Sequence, residues 1–312
     1  MINPEPNPTI SIVVPCFNES EVIKYFLEEI YQVLNKTNKT YEIIFVNDGS
    51  HDSTLETLIK LKEKNKNIRI INLSRNFGKE AALTAGLDKA LGEAIICIDA
   101  DLQHPPETII EFIKMWEEGY DVVVGKRIRR IGEGIIKKII TKSFYKIHNK
   151  ISNVDIPYNI GDFRLMSKRV VQSLKTLPEN QRFMKGIFAW LGYKTAVVKY
   201  EQNIRVAGQT SFNGWKLWNF ALEGITSFST VPLRIWFYIG FIVAFFAFIS
   251  GIWIIIKTLV FGIDVAGYAS TITIMCFLGG IQLLGIGVLG EYIGRIYMEA
   301  KNRPIYIIEN EY

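Results

Sequence analysis

Three acidic clusters sit in comparable places along this chain. PCFNE (residues 15–19), NDGSHDST (47–54) and DADLQHPPE (99–107) each follow a short run of β-branched residues. Open α/β sheets bind their ligands at the ends of parallel strands. One carboxylate after a strand is commonplace, because Asp also caps helices. Three strand-end clusters on one predicted sheet edge point to a site. Asp99 and Asp101 flank Ala100, and residues two apart in an extended or turning segment can present both carboxylates to one side. Such a pair suits Mg2+ or Mn2+, which also take phosphate oxygens and water. The alternative for an isolated Asp-X-Asp is a polar turn. Its place after AIICI, with Asp48 at another strand end, favours the functional reading.

Other chemistries find no support. His51 and His104 have no Cys or His at zinc-ligand spacing, and His148 lies in a Lys-rich stretch that reads as surface. There is no GxGxxG and no Walker A string, which argues against nicotinamide and P-loop chemistry. No Ser/His/Asp order stands out as a motif.

The acidic clusters need a scaffold. Residues 10–17, 41–46, 68–73, 94–99 and 121–125 are continuous apolar runs, as in strands buried on both faces of a parallel sheet. Helical patterns at 20–35, 53–65, 79–90 and 106–118 alternate with them. That rhythm predicts βαβ units in a doubly wound α/β sheet. Asp52 or Ser53 starts the second helix, and Pro105-Pro106 stands where another begins.

Composition then separates two kinds of chain. The 312 residues carry a net charge of +5, with 49% hydrophobic and 21% charged residues, and the mean hydropathy is +0.16. Disorder is excluded, and the length allows about two domains. The charge is local: residues 126–150 hold nine Lys/Arg and one Glu, a net of +8 that leaves −3 for the rest. This rules against nucleic acid as the reason for the basicity. Ile135, Ile136, Ile139, Ile140, Phe144, Ile147 and Ile151 form one helical stripe there, and Lys138, Lys142, Lys146 and Lys150 another. The stretch reads either as a solvated surface helix or as a helix lying on anionic phospholipid.

Residues 235–256 and 265–290 contain no charge. A 22-residue helix is about 33 Å long and matches a hydrocarbon core of roughly 30 Å. Trp236, Tyr238, Trp253, Tyr268 and Tyr292 lie near the span ends, as interfacial aromatics do. Arg234 precedes the first span, and Arg295, Lys301 and Arg303 follow the second. The positive-inside rule predicts a multi-pass protein of the cell (inner) membrane with both termini cytoplasmic. MINPEPNPTI lacks the features of a cleaved signal. Cys16, Cys97 and Cys276 each lie in an apolar run without a CxxC pair, and read as buried thiols in a reducing compartment. Trp215, Trp218, Leu222 and Ile225 predict an amphipathic helix before the first span.

PCFNE, NDGSHDST, SRNFGKEAAL, DADLQHPPE, GDFRLMSK and RVAGQT, followed by two spans and KNRPIYII, resemble the bacterial polyisoprenyl-phosphate glycosyltransferases. These are inverting family 2 enzymes of GT-A fold, a group with the bactoprenol glucosyltransferases and dolichol-phosphate mannose synthases. The resemblance covers roughly residues 9–308. It implies a GT-A (Rossmann-like, mostly parallel sheet) domain over 1–212 with a basic interfacial region at 126–151. A juxtamembrane helix at 213–231, spans at about 235–256 and 266–291 within 232–295, and a cytoplasmic tail at 296–312 would follow. Pro15, Glu19, Asp48 and Lys79 would line the donor pocket, with Asp48 on the base or ribose. Asp99, Asp101 and Gln103 would hold the diphosphate and a Mg2+ or Mn2+ ion. Asp162 and Asp101 would be the catalytic residues, Asp162 at the family's catalytic carboxylate position, with Arg127, Arg129, Gln181, Arg182, Arg205 and Thr210 on the phosphate and acceptor side.

The resemblance implies transfer of one sugar from a nucleotide-sugar donor to undecaprenyl phosphate, with glucose from UDP-glucose the leading choice. GDP-mannose, UDP-N-acetylglucosamine or a UDP-aminoarabinose derivative are other donors, and a non-catalytic nucleotide-sugar-binding scaffold is the alternative of another class. A lipid phosphate is mostly ionised at neutral pH, so Asp162 is expected to position a group more than to remove a proton. Ser211 departs from the family's RxxGxTK pattern, which implies that one phosphate contact is either missing or supplied by another residue such as Lys216. Gly279, Gly280, Gly285, Gly287 and Gly290 permit close helix packing, within the hairpin or in a homo-oligomer.

Overall fold

The structure, a computed structural model, describes residues 8–128, 160–180, 182–203, 226–227, 229–261 and 267–312. The predicted basic helix region at 126–151 and juxtamembrane helix at 213–231 fall almost wholly outside these residues.

The first part of the chain alternates as its pattern predicts. Strands β1 (Ile10–Cys16), β2 (Tyr41–Asn47), β3 (Ile68–Leu73), β4 (Ala94–Cys97) and β5 (Val122–Arg127) are separated by helices α1 (Ile23–Leu34), α2 (Thr54–Lys64), α3 (Lys79–Lys89) and α4 (Thr108–Glu117). The chain continues through β6 (Ile160–Ser167), α5 (Lys168–Lys175), α6 (Met184–Trp190) and β7 (Thr195–Tyr200). Two long helices follow, α7 (Val231–Phe261) and α8 (Tyr268–Ala300), and then β8 (Ile308–Glu311).

One sheet takes in all eight of these strands, in the order β7-β5-β6-β4-β1-β2-β3-β8. Pairs β1–β2, β1–β4, β2–β3 and β5–β7 are parallel, whereas β6 runs against both β4 and β5, and β8 against β3. Both faces are covered, which explains the unbroken apolar runs. Ile10, Ile12 and Val14 pack with Phe26, Ile30 and Phe112 on one face. Val13, Ile44 and Val46 pack with Ala82, Ala85 and Met184 on the other. Gly86 lets α3 lie directly on β1, since a Cβ there would stand 2.3 Å from Val13 Cγ1. Overpacking at such a contact costs about 1–3 kcal/mol. This close seat sets where the first residue of α3, Lys79, meets the sheet edge.

The opposite edge of the sheet shows a satisfied structural carboxylate. Glu42 Oε1 accepts from Ser11 Oγ at 2.6 Å and from the Leu91 N–H at 2.8 Å, and its Oε2 from Arg69 at 2.7 Å.

The helices α7 and α8 contain two segments long and apolar enough to cross a membrane, Val231–Ile254 and Phe277–Ala300. Their large side chains, such as Phe241, Phe245 and Leu284, are exposed. Gly285 lies under the Trp236 ring, with an added Cβ placed 3.3 Å from it, so this glycine packs within the hairpin. Tyr292 donates to the Ser229 carbonyl at 2.6 Å, and the Asn180 N–H to Glu299 at 3.0 Å.

The segment expected as the C-terminal tail, 296–312, begins within α8, which runs to Ala300, and ends in β8, which pairs with β3 of the main sheet. The Tyr312 N–H donates to the Ile70 carbonyl at 2.9 Å, Asn72 Nδ2 to Glu309 at 2.8 Å and Tyr306 to Asp88 at 2.8 Å. The strand is four residues long and polar, IENE, and only tertiary pairing makes it a strand.

Candidate active site

The ends of β1, β2 and β4 bring the three acidic clusters to one edge of the sheet. The first two interlock. The Asn18 N–H donates to Ser50 Oγ at 3.0 Å, the Glu19 N–H to Thr54 Oγ1 at 2.9 Å, and the His51 N–H to Asn18 Oδ1 at 2.9 Å. Pro15 lies in β1 opposite Val46. Asn18 and Leu102 each have φ of 55°, an uncommon conformation for residues other than glycine and one that costs about 1 kcal/mol or more. Both lie in the strand-end loops, and Leu102 directly follows Asp101.

Asp48 is buried and binds a neighbouring loop. Its Oδ1 accepts from the Phe77 N–H at 2.7 Å and its Oδ2 from the Gly78 N–H at 2.9 Å. Burial pushes this carboxyl above its ordinary value, and the two N–H donors oppose that rise. Gly49, at φ +62°, approaches the same loop so closely that a Cβ would lie 2.3 Å from the Arg75 carbonyl carbon. Only glycine allows that conformation and approach without strain. Asp48 therefore anchors the entrance to α3.

The reversal of β6 creates the centre of the site. Cys97 of β4 stands opposite Arg164 of β6. Continued by two residues, that register sets Asp99 beside Asp162. Lys79 closes the gap, with Nζ 2.6 Å from Asp99 Oδ1 and 2.9 Å from Asp162 Oδ2. Burial pushes both carboxyls up. The Lys79 ammonium outweighs it, aided by His104 at Asp99 and by Lys185 at Asp162, and holds Asp99 well below, and Asp162 below, the usual carboxylate range. Burial pulls the Lys79 ammonium down, but Asp162 and Asp99 raise it well above the usual lysine range. All three groups are therefore charged at neutral pH. Asp162 Oδ1 and Arg164 Nε are buried without a hydrogen-bond partner among the described residues. Glu42 shows no such orphan, so the contrast marks Asp162 as a carboxylate with capacity to spare.

Arg127 is held from the side. At the end of β5 it pairs in register with Tyr200 of β7. Its Nε donates to the Tyr200 hydroxyl at 3.1 Å. That hydroxyl lies 2.7 Å from His104 Nδ1, and His104 Nε2 lies 3.5 Å from Asp99 Oδ2. His104 is 1% exposed and stacks near Phe163 at a centroid distance of 4.9 Å. The same end of β7 grips the acidic loop, since the Asn203 N–H donates to the Gln103 carbonyl at 3.1 Å and Gln202 Nε2 donates to Gln103 Oε1. The Gln103 N–H in turn donates to Asp101 Oδ1 at 3.1 Å.

Of the predicted site residues, Lys79, Asp99, Asp101, Gln103, Arg127 and Asp162 converge. Pro15, Glu19 and Asp48 line the adjoining part of the same edge. Arg182 instead donates to the Glu179 and Leu177 carbonyls of its own loop at 3.1 and 3.0 Å. Arg129, Gln181, Arg205 and Thr210 lie outside the described residues, as do Ser211 and Lys216. Sequence reasoning passed over Tyr200, Arg164 and Lys185, and credited His104 with no role once zinc was set aside. A signal existed for His104 alone, its place three residues after Asp101.

The donor set fits a divalent ion. Asp99 and Asp101 supply hard carboxylate oxygens, and the cation position beside Asp99 is taken by an ammonium group. No group of three His, Cys, Asp or Glu that could hold a metal occurs among the described residues. An ion here would complete its shell with substrate oxygens and water, as Mg2+ and Mn2+ do at phosphate sites.

Comparison with known proteins adds to this geometry. The glycosyl transferase family 2 profile matches residues 11–175, and that of the GtrB C-terminal hairpin matches residues 231–296. A bactoprenol glucosyl transferase of Shigella phage SfV is 54% identical over 302 residues, covering 97% of this chain and 98% of the relative. A prophage bactoprenol glucosyl transferase homolog of Escherichia coli K12 is 53% identical, with 96% and 98% covered. An uncharacterized glycosyltransferase of Synechocystis sp. is 50% identical, with 96% and 95% covered. Among solved structures, glucosyl-3-phosphoglycerate synthase from Mycobacterium tuberculosis, in complex with Mn2+, UDP and phosphoglyceric acid, superposes with a TM-score of 0.50. It is 18% identical and covers 70% of this chain and 76% of that one, a likeness of fold alone.

Proposed function

Because the chain belongs to glycosyl transferase family 2, in a form with a GtrB C-terminal hairpin, we propose that it transfers one glucose from UDP-glucose to undecaprenyl phosphate. The transfer proceeds with inversion, at the cytoplasmic face of the membrane that α7 and α8 span. The observation that carries this reading is the near-full-length kinship with bactoprenol glucosyl transferases. The charge distribution around the spans supports cytoplasmic termini.

In this reaction a phosphate oxygen of the lipid bonds to the anomeric carbon, and the bond from that carbon to UDP breaks with the electron pair leaving on UDP. The lipid phosphate is already mostly ionised at neutral pH, since its second pKa is about 6, so little proton removal is needed. The harder task is to bring two phosphate-bearing groups together. A divalent ion held by Asp99 and Asp101, with Gln103 beside them, would supply positive charge against the diphosphate. Arg127 binds and orients phosphate oxygens, and Tyr200 and His104 fix its direction. Asp162, ionised and opposite Asp99, holds Lys79 and faces Lys185, so it arranges cations where the acceptor phosphate must arrive. Asp48 keeps the loop before α3 in place beneath the nucleotide.

The test is an assay of the full chain in phospholipid nanodiscs with radiolabelled UDP-glucose, undecaprenyl phosphate and Mn2+. Label is expected in the solvent-extractable lipid. Absence of lipid-linked label from UDP-glucose overturns the donor assignment.

A further inference from the structure

The Lys79 ammonium occupies an unusual place. It sits between the carboxylate expected to face metal and donor and the carboxylate expected to face the acceptor, 2.6 Å from Asp99 and 2.9 Å from Asp162. Lysine is also poorly suited to its backbone position. It is the first residue of α3, where the helix dipole favours anions and disfavours cations. Helix stability therefore does not account for it.

Backbone and side chain are held differently. The preceding loop is pinned by the two N–H bonds from Phe77 and Gly78 to Asp48. Neighbouring groups crowd the ammonium, yet the side chain as a whole stays 45% exposed, against 25% for Asp99 and 15% for Asp162. A four-carbon stem with a rotatable ammonium head can leave its partners without moving the helix. A divalent ion binding Asp99 needs the same oxygens and brings a like charge close to the ammonium.

We propose that Lys79 is a resident counter-cation, which holds Asp99 and Asp162 together before substrates arrive and must release Asp99 for the divalent ion to bind. The inference rests on the metal-dependent reading of the site. It makes Lys79 a positioning residue that sets metal affinity and keeps the two carboxylates from repelling one another before substrates arrive. Once displaced from Asp99, the ammonium remains within reach of Asp162 and of incoming phosphate oxygens.

The experiment measures Mn2+ binding to the full chain without nucleotide, from the free-ion electron paramagnetic resonance signal. Lys79→Met, which keeps the aliphatic stem and removes the charge, is expected to bind Mn2+ about tenfold or more tightly than the wild type. Lys79→Arg, which keeps the charge and the helix start, is expected to bind no more tightly than the wild type. Equal or weaker Mn2+ binding by a folded Lys79→Met overturns the proposal and leaves the metal reading standing. Tighter binding by Lys79→Arg overturns it as well, and serves as the test if the Met variant does not fold. If neither the wild type nor the variants bind Mn2+, the metal reading itself fails and takes this inference with it.

Discussion

The Tyr200 hydroxyl lies 2.7 Å from His104 Nδ1 and so ties the end of β7 to the loop that carries Asp99 and Asp101. The same oxygen accepts a hydrogen bond from Arg127. One phenol thus fixes a cation expected to face phosphate and a histidine that faces the acidic centre. Tyr200→Phe keeps the ring, which packs edge-on to Phe163, and removes only the oxygen. It is expected to lower kcat/KM about tenfold, the effect of losing a hydrogen bond to a charged group. Arg127→Lys in the same background should then add little, since the orientation is already lost. Steady-state kinetics with both substrates varied checks this.

Asp162 and Asp101 are expected to differ in how they fail. Asp162→Asn keeps the shape and removes the charge that holds Lys79, so turnover should fall about a hundredfold or more with nucleotide binding largely kept. Asp101→Ala should lose both turnover and Mn2+-dependent UDP binding. Calorimetry with UDP, with and without Mn2+, separates the two patterns.

Asp52 gives a prediction in pH. Its Oδ1 accepts the Thr54 N–H at 3.0 Å at the start of α2, and its Oδ2 the Ser20 N–H at 3.3 Å. Burial raises its carboxyl, but the Thr54 and Ser20 donors together outweigh that and hold it below the ordinary value. A carboxylate depressed in the folded state contributes stability that is present above the unfolded pKa of about 3.9 and is lost as pH falls through the folded value. Asp52→Asn should therefore lower the Tm by a few degrees at pH 7, as for a weakened helix start. The gap from the wild type should shrink as the pH drops below about 4. Thermal denaturation across pH 3–7 checks the sign.

Cys16 and Cys97 should be chemically silent. Burial pushes the Cys16 thiol well above its ordinary value, and burial pushes that of Cys97 up to about 12. At pH 8 the thiolate fraction of Cys97 is then on the order of one in ten thousand, far too little for alkylation. Peptide mapping after iodoacetamide treatment should find both unmodified in the native protein and modified after denaturation. Labelling of either under native conditions would contradict the buried positions in β1 and β4.

The first five strands and four helices were legible because each local signal agrees with the fold. Their strands are buried on both faces and so read as unbroken runs, and two of the helices begin just after the predicted starts, α2 after Asp52-Ser53 and α4 after Pro105-Pro106. What the residues alone did not reveal was β6. GDFRLMSK carries Asp162 and Arg164 within it, so it shows neither an apolar run nor a clean alternation, and its reversed direction is set by pairing with β4 and β5. The neighbourhood of Asp99 and Asp162 depends on that reversal. The position of Asp162 was therefore expected from family likeness and not from pattern. Tyr200 and Lys185 were invisible for a similar reason: a lone tyrosine at a strand end and a lysine in a short helix announce nothing until the fold brings them beside His104 and Asp162. IENE was too short and polar to be read as a strand.

The pairing of β8 with β3 has a consequence for how this protein is made. A ribosome delivers residues in order, and domains commonly begin folding from the N-terminal side as they emerge. Here the strand that covers the outer edge of β3 emerges only after both apolar helices have been synthesised. Until then Ile70 and Asn72 present an open sheet edge, the kind of surface that recruits wrong partners. The sheet is thus completed only after both apolar helices have left the ribosome. Its last edge waits on the synthesis of the whole hairpin.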